Sequence, residues 1–426
     1  ELADALDKIF PYKFPDFKLG DHIQYARHAL AIDDERHTFS PLLWDESHLA
    51  TAAGKTENGE SKTEPKKLLQ VWFTGMHADV GGGYPEDMLA HVPLAWMIDQ
   101  INDIAGGRVR FKNTVVREIT ESGSATGKLH DSRKGFACFY RYKPRHIARL
   151  CGHSADAKKN EIKQQTTLPN HPFIKIPIIH HTVLDRIGAQ KVGYNPAGLP
   201  KNFDVYSPSG EVVPYSSSCV HYQAGETFSS ENAAQYAQRT EMHERARGHI
   251  FWSRGWYFIM LFSVLALVFA PVLAWLFSLE ADSQTDLSFL AKLSYWAIGL
   301  FERVATLVLP ADAVAILTES WRKLGSGFFW ISLVFGATYV MAGWTRGNAV
   351  EESEIGWAHV KGSHLSMPEG KRYFSNMGNK IRKHKGWIDF HQALNTKVVP
   401  VAFAGCIVVL ALVGIYYLYG FVFQYS

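Results

Sequence analysis

The chain has 426 residues, a formal net charge of +3 and nearly equal numbers of basic and acidic residues, 44 and 41. No basic block is interleaved with stacking aromatic residues, so the composition argues against a nucleic-acid-binding protein. Four scattered cysteines are too few for a disulfide framework, and neither a metal nor another cofactor is expected.

The first predicted elements in chain order are a helix, a loop and a strand. Asp21 is a candidate N-cap for the sequence DHIQYARHALAIDDER, which is expected to be helical as far as Arg36. Residues 51–66 are polar and rich in glycine and lysine, which predicts a loop. The run LLQVWF (68–73) is too short for a capped helix and is typical of a central parallel strand that is buried on both faces.

A second helix is predicted from Asp87 onward, because Leu89, Val92, Trp96 and Ile101 recur at helical spacing and Pro93 is close enough to the start to be tolerated. The segment between the strand and this helix contains polar residues and three consecutive glycines. In open α/β sheets such loops, at the carboxyl ends of strands, carry the reactive groups.

His77 in this segment is the predicted catalytic residue, since a histidine can act as a general base near neutral pH. Asp79 is expected to orient a neighbouring group or to accept backbone N–H bonds. Gly81, Gly82 and Gly83 would let the backbone turn tightly beside a substrate. These four residues form the predicted supporting loop.

The sequence VWFTGMHADVGGGY (71–84) resembles the signature of a large α/β-hydrolase family, long labelled a domain of unknown function, that includes the Tle-type phospholipase effectors of type VI secretion. Weaker matches follow the family's order: RHALAIDDERHTFSPLLW (27–44), LAWMID (94–99), RYKPRHI (141–147) and HHTVLDRIGAQKVGYNPAGLP (180–200). The resemblance implies a Ser-Asp-His esterase in which His77 matches the catalytic histidine. It also implies that residues 1–205 form the C-terminal part of an α/β-hydrolase with a doubly wound, mostly parallel sheet.

The chain departs from this family in lacking the Gly-x-Ser-x-Gly nucleophile elbow. The nearest sequence, GHSAD (152–156), has no final glycine, so Ser154 is not expected to be a nucleophile. The family's serine and aspartate motifs precede the segment that begins here at Arg27. An N-terminal portion of the same hydrolase, as a separate chain or a missing segment, is therefore the expected partner that completes the sheet and the triad. The open alternatives are a piece of a longer chain and a non-catalytic relative.

Two pairs of residues outside the signature have both functional and structural interpretations. His180 and His181 precede a helix-like run and are expected to pack beneath the site rather than to act in catalysis. Arg141 and Arg145 could bind phosphate headgroups, although ion-paired or solvated arginines are the ordinary case.

The second half of the chain predicts a membrane-inserting helical region, 251–426, after a linker at 206–250. Its apolar runs at about 255–279, 328–344 and 398–423 approach or exceed the roughly 20 residues that span a bilayer, and Tyr and Trp stand at their ends. Residues 287–310 read as an interfacial helix or as a soluble cap. The basic flanks place residues 1–250 and the loop 345–397 on one side of the membrane.

These observations together predict a membrane-associated phospholipase effector that acts on phospholipid acyl esters and is secreted into a target cell envelope. Membrane phospholipid is the expected substrate and partner, with a secretion spike, a chaperone or an immunity protein as further candidates. The rival hypothesis is a non-catalytic membrane-anchoring or pore-forming module whose hydrolase remnant binds a partner chain.

Overall fold

The computed structural model describes residues 18–46, 66–134, 137, 139–140, 142–151, 174, 176–189, 192–215, 233–276, 288–307, 309–361 and 372–393. The strands are β1 (Ala26–Ala31), β2 (Leu68–Phe73), β3 (Ile178–His180), β4 (Asp204–Tyr206) and β5 (Val212–Pro214). The helices of the first half are α1 (His77–Gly81), α2 (His91–Ala105), α3 (Asn113–Ser122), α4 (Ile147–Leu150) and α5 (His181–Gly188), with a 3-10 turn at His37–Phe39.

Helices joined by short turns make up the described residues of the second half of the chain. Its helices are α6 (Ala233–Val268), α7 (Ala270–Leu276), α8 (Phe289–Ala305), α9 (Ala311–Lys323), α10 (Ser326–Gly356), α11 (Arg372–Lys383) and α12 (Lys385–Ala393). Helix α6 begins at Ala233 and runs through residue 250, where the sequence suggested the end of a linker.

The strands form one five-stranded sheet in the order β1-β2-β3-β4-β5. The first four are parallel and β5 is antiparallel to β4. All six residues of β2 are buried, as the unbroken apolar run predicted, and the helix predicted after Asp87 is α2. The chain therefore has an α/β sheet of five strands, whereas the sequence showed one recognisable strand.

The helix predicted between Asp21 and Arg36 is wrong, because residues 26–31 form strand β1. Ala, Arg and Leu favour helices in isolation, but the whole of β1 pairs with β2, from Ala26 beside Leu68 to Ala31 beside Phe73. Leu30 and Ile32 alternate into the core. Tertiary pairing with a buried strand thus overrides local helix propensity.

Both faces of the sheet are covered by apolar side chains. Alternate strand residues, including Trp72, Ile179 and Val205, enter the core beneath α4 and α5. The intervening residues, including Phe73, pack on the opposite face against Trp96 of α2. Trp357, directly after α10, is fully buried in the first of these cores. The base of the helical half is therefore built into the α/β half.

Helices α6 and α10 are the two described helices that are long and apolar enough to cross a membrane, by length and composition. Only 22% and 11% of their most apolar windows are buried, which is unlike core helices of a soluble protein. Helices α8 and α9 pack at the far end of this pair, where Ile298 and Trp321 surround Ala270. The predicted span at 398–423 lies outside the described residues.

Helix α11 packs antiparallel along α6. Phe374 lies beside Trp252, Gly378 beside Gly248, and Arg382 beside Glu244. At the centre of this crossing a Cβ on Gly248 would meet the backbone oxygen of Ser375 at 2.2 Å. A Cβ on Gly378 would meet the backbone oxygen of Gly248 at 2.6 Å. The two helices therefore touch backbone to backbone.

Candidate active site

His77 is the first residue of α1 and follows β2 by a three-residue turn, and its side chain is exposed. Its ring packs edge-on against Phe39, with centroids 5.3 Å apart. The guanidinium of Arg36 in turn lies over the ring of Phe39, 3.5 Å from its centroid. The predicted histidine therefore stands at the carboxyl end of the central strand, with its ring held from one side and open on the other.

The turn before His77 is held by the acidic segment 33–35 that follows β1. Asp33 accepts a 2.7 Å hydrogen bond from the N–H of Gly75 and another from the hydroxyl of Tyr194. Burial raises the pKa of Asp33 to about 7. The backbone N–H of Asp33 in turn donates to the carbonyl of Gly75.

Asp34, the next residue of this segment, is fully buried and accepts the N–H of His77 at 3.1 Å. Burial alone would raise the pKa of Asp34, but hydrogen bonds from Arg36 and from this N–H outweigh it and lower the pKa. Asp34 is therefore a carboxylate that fixes the backbone of the candidate base. Because Arg36 pairs with Asp34 and covers Phe39, the same contacts also fix the His77 ring.

Asp79 is buried and supports the loop rather than the His77 ring. It accepts the N–H of Met76 at 2.9 Å and lies 2.6 Å from Nδ1 of His130. The ring of His130 also lies 3.2 Å from Glu86 and stacks on Tyr84 at 3.8 Å. Of the two roles predicted for Asp79, the structure shows the acceptance of backbone N–H groups; Asp79 also contacts the ring of His130, which is distant in the sequence.

The glycines of the turn differ in what they contribute. Gly82 and Gly83 have φ of 86° and 121°, a region that favours glycine, whereas Gly81 ends α1 in helical conformation. Gly75, before His77, has φ of 128°, and a Cβ there would lie 2.5 Å from the Cβ of Asp79. Gly75 is therefore the most constrained glycine of the site, although no special role was predicted for it.

An open cavity of about 800 Å³ lies between β1, the 3-10 turn and α2. His77 and the three glycines line it, together with Phe39, Leu94 and Met97. Most of its lining is apolar, which suits an acyl chain. The predicted catalytic residue and its supporting glycines thus share one cavity.

Arg145 also lines this cavity, but its terminal nitrogens donate to the carbonyls of Ala31 and Phe39. Burial lowers the pKa of Arg145 to about 10. Its role is to join β1 to the 3-10 turn beside the cavity. Arg141 and Ser154 lie outside the described residues.

His180 ends β3, next to β2, and is buried between Phe73 and Tyr206. Burial lowers its pKa well below the ordinary value. His181 begins α5 and lies 3.1 Å from Asp185. Both positions agree with a packing role beneath the site.

Sequence reasoning missed the residues that hold the site, namely Asp33, Asp34, Tyr194 and His130. A signal existed for the first two, because IDDER follows an apolar alternation at the end of β1. Assigning that segment to a helix hid it. No local pattern marks Tyr194 or His130, which contact Asp33 and Asp79 from 161 and 51 residues away, respectively.

Residues 3–100 match the family described as "T6SS, Phospholipase effector Tle1-like, catalytic domain". No curated protein and no solved structure matches the chain. The matched segment includes the acidic segment and β2, together with β1, His77 and the three glycines, which line the cavity. Residues 3–100 are therefore similar to the catalytic domain of Tle1-like phospholipase effectors of type VI secretion, which supports the resemblance seen in the motif around His77.

Proposed function

We propose that this chain is the histidine-bearing part of a membrane-associated serine phospholipase, in which His77 is the general base. The observation that carries the proposal is the place of His77. It follows a central parallel strand, faces an open apolar cavity and lies in the segment that matches a phospholipase effector family.

In this mechanism His77 takes the proton of a serine whose Oγ attacks the acyl carbonyl carbon of a phospholipid. The tetrahedral intermediate collapses to an acyl-serine, and the departing lysophospholipid alcohol takes the proton from His77. His77 then removes a proton from water, whose oxygen attacks the acyl carbon of the acyl-serine; the serine Oγ leaves, takes that proton back from His77, and the fatty acid is released. A carboxylate supplied with the serine would orient the imidazole. The contacts with Asp34, Arg36 and Phe39 described above would hold the imidazole near its reactive orientation, so that less conformational entropy is lost in each step.

The outer edge of β1 is the proposed joining place for the N-terminal portion that supplies the serine. On the side of β2, the N–H of Ala26 donates to the carbonyl of Lys67 and that of Ile32 to the carbonyl of Phe73. The alternate backbone groups, those of residues 27, 29 and 31, therefore point the other way. Arg145 takes the carbonyl of Ala31. Within the described residues no strand pairs with this edge, and the cavity with His77 lies along it. A strand added here would bring its own carboxyl end beside His77.

The helical half would anchor this site at its substrate. Arg346 of α10 binds Glu35 in the acidic segment, so the long helices and the His77 turn are joined directly. Delivery into a target cell envelope, with a secretion spike, a chaperone or an immunity protein as partner, is the biological setting that the family suggests.

The test is phospholipid hydrolysis by the complete effector on vesicles, combined with a fluorophosphonate probe for reactive serines. His77→Ala should lower hydrolysis by at least about 100-fold, the usual contribution of a general base. His91→Gln is the matched control, because His91 lines the same cavity from α2. Mass mapping of the probe should locate the nucleophile outside residues 1–426.

Two results would overturn the proposal. If hydrolysis survives in His77→Ala, His77 is not the general base. If the probe labels Ser40, the serine in the lining of this cavity, the nucleophile lies in this chain. An effector without hydrolysis or labelling would favour the rival function, a membrane-anchoring or pore-forming module. The exposed apolar windows of α6 and α10 already fit that rival, since anchoring needs no catalysis.

A further inference from the structure

Aromatic side chains from four helices meet around the middle of the helical half. Phe251 lies 5.5 Å from Trp252 and 5.3 Å from Trp387, and Trp252 lies 6.1 Å from Trp256. Trp344 lies 6.1 Å from Phe374, whose carbonyl accepts the indole N–H of Trp252. We call the following set the aromatic collar: Phe251, Trp252, Trp256, Trp344, Tyr373, Phe374, Trp387 and Phe390.

The collar contains large rings that are open to solvent. Tyr373 is 71% exposed, Phe390 55%, and Trp344 and Phe374 are each 44% exposed. Such rings at one level are typical of a membrane–water interface, where an aromatic body is apolar and its N–H or O–H stays near headgroups.

The two sides of the collar differ sharply in polarity. Toward the sheet, Arg245 of α6 pairs with Glu352 of α10 at 2.7 Å, and both are buried in protein. His249 lies 3.8 Å from the same carboxylate. Charges on this side are therefore enclosed between helices and need no contact with lipid.

On the other side of the collar the exposed residues of the same helices are apolar. Phe262 of α6 is 61% exposed, and Val340 and Leu333 of α10 are 65% and 48% exposed. The uncharged part of α6, residues 255–268, rises about 20 Å at 1.5 Å per residue, and α10 rises about 24 Å from Trp344 to Phe328. These lengths cover much of a hydrocarbon core of about 30 Å.

Cations stand next to the collar on α11 and α12. Lys380 and Lys385 are exposed, and Arg382 and Lys383 lie beside Glu244. Asp389 is the one acidic residue of these two helices. Lysines beside interfacial rings favour an anionic headgroup layer.

We infer that the aromatic collar contacts the headgroup layer of an anionic phospholipid bilayer, with the apolar parts of α6 and α10 in the hydrocarbon. This rests on the membrane half of the proposed function and fixes where along the helices the surface lies. Arg346, two residues beyond Trp344, binds Glu35, so the acidic segment that holds the His77 turn is bound to α10 next to the collar. The enclosed Arg245–Glu352 pair lies on the same, protein-covered side.

Tryptophan quenching by brominated lipids tests the depth of the collar with the full chain and phosphatidylcholine vesicles that contain phosphatidylglycerol. The fluorescence difference between wild type and Trp387→Phe reports on the collar. The difference between Phe262→Trp and wild type reports on a level about 15 Å from Trp252 along α6. Trp44→Phe reports on the α/β half. Lipids brominated near the headgroup should quench the collar signal, lipids brominated near the chain end should quench the signal of residue 262, and neither should quench Trp44.

Vesicle co-sedimentation tests the charge and ring contributions. Lys380→Gln and Lys385→Gln should each weaken binding to anionic vesicles about fivefold and leave binding to pure phosphatidylcholine unchanged. Lys112→Gln, exposed beside α3, is the matched control. Tyr373→Ser with Phe390→Ser should weaken binding to both vesicle types by at least about tenfold.

The inference fails if the chain does not sediment with either vesicle, or if neither brominated lipid quenches Trp387. It also fails if a chain-end bromine quenches Trp387 most strongly. These readouts do not need ester hydrolysis, so His77→Ala should bind vesicles as the wild type does. If hydrolysis is absent but the collar is still quenched, the proposed phospholipase function is wrong and the membrane contact of the collar stands.

Discussion

The guanidinium of Arg346 on α10 lies 2.9 Å from the carboxylate of Glu35, in the acidic segment that holds the turn before His77. The same guanidinium lies 3.2 Å from Asp131. One side chain of the long helix therefore joins the segment after β1 to the loop next to His130. The candidate base and the helical half are mechanically connected through this contact.

Replacing Arg346 should loosen the acidic segment. Arg346→Gln leaves Glu35 without its cation, and we expect a loss of about 1 kcal/mol in the free energy of unfolding, since Arg346 is partly solvent-screened. Hydrogen exchange at residues 33–36 should accelerate. Arg117→Gln breaks the exposed pair with Glu121 and should change neither quantity measurably. Unchanged exchange at 33–36 in Arg346→Gln would contradict the connection.

Gly75→Ala should damage the site more than any substitution of the three consecutive glycines. The positive φ and the 2.5 Å approach to Asp79 both oppose a side chain, so we expect a loss of about 2–3 kcal/mol in stability. Gly81→Ala should be neutral or slightly stabilising, because a Cβ there meets nothing within 4 Å and its backbone is helical. Urea unfolding of the two variants measures the difference, and equal losses would refute it.

The Asp79–His130 contact should be a coupled, stabilising pair. Asp79→Asn keeps the shape of the side chain but removes the carboxylate that contacts both the N–H of Met76 and the ring of His130. The free energy of unfolding should decrease by about 1–3 kcal/mol. A double-mutant cycle with His130→Gln should give a coupling energy above about 0.5 kcal/mol. Glu86→Gln, on the exposed side of His130, should have a smaller effect. Additive losses would show that the two residues act independently.

Asp33 should make stability depend on pH near neutrality. Because burial raises its pKa from 3.8 to about 7, the folded state holds this proton more tightly than the unfolded state does. The stabilisation is complete below about pH 4 and is lost as the pH rises through about 7. The thermal midpoint of the wild type should therefore decrease as the pH is raised from 5 to 8.

Asp33→Asn removes this titration and should flatten the pH dependence of the thermal midpoint relative to wild type. Asp21→Asn, at an exposed turn, is the control and should keep the wild-type slope. An unaltered slope in Asp33→Asn would show that Asp33 is ionised throughout this range.

The parts of the fold that could be predicted were those with a local signal. Strand β2 was predicted from LLQVWF, because a short continuous apolar run is typical of a strand buried on both faces. Helix α2 was predicted from the helical spacing of apolar residues after Asp87. Strand β1 could not be read this way, since ARHALA has helix-forming residues and becomes a strand by pairing with β2. Strands β3, β4 and β5 are three residues each, too short for any period to appear.

The candidate site divides in the same manner. His77 and its glycines were predicted from one motif, because strand, histidine and turn are contiguous. What orders them comes from four distant places: the segment 33–36, His130, Tyr194 and Arg346. Those contacts depend on how β1 pairs and how α10 packs, which no local pattern contains.

The backbone contact between Gly248 and Gly378 sets the height at which α11 stands on α6. A Cβ at either position would lie well inside ordinary contact distance of the facing backbone, so α11 would have to move away from α6 or slide along it. One turn of sliding would displace Phe374 about 5.4 Å from Trp252 and Trp344. The alignment of Tyr373 and Phe374 with the rings of α6 and α10 therefore depends on two residues that have no side chain.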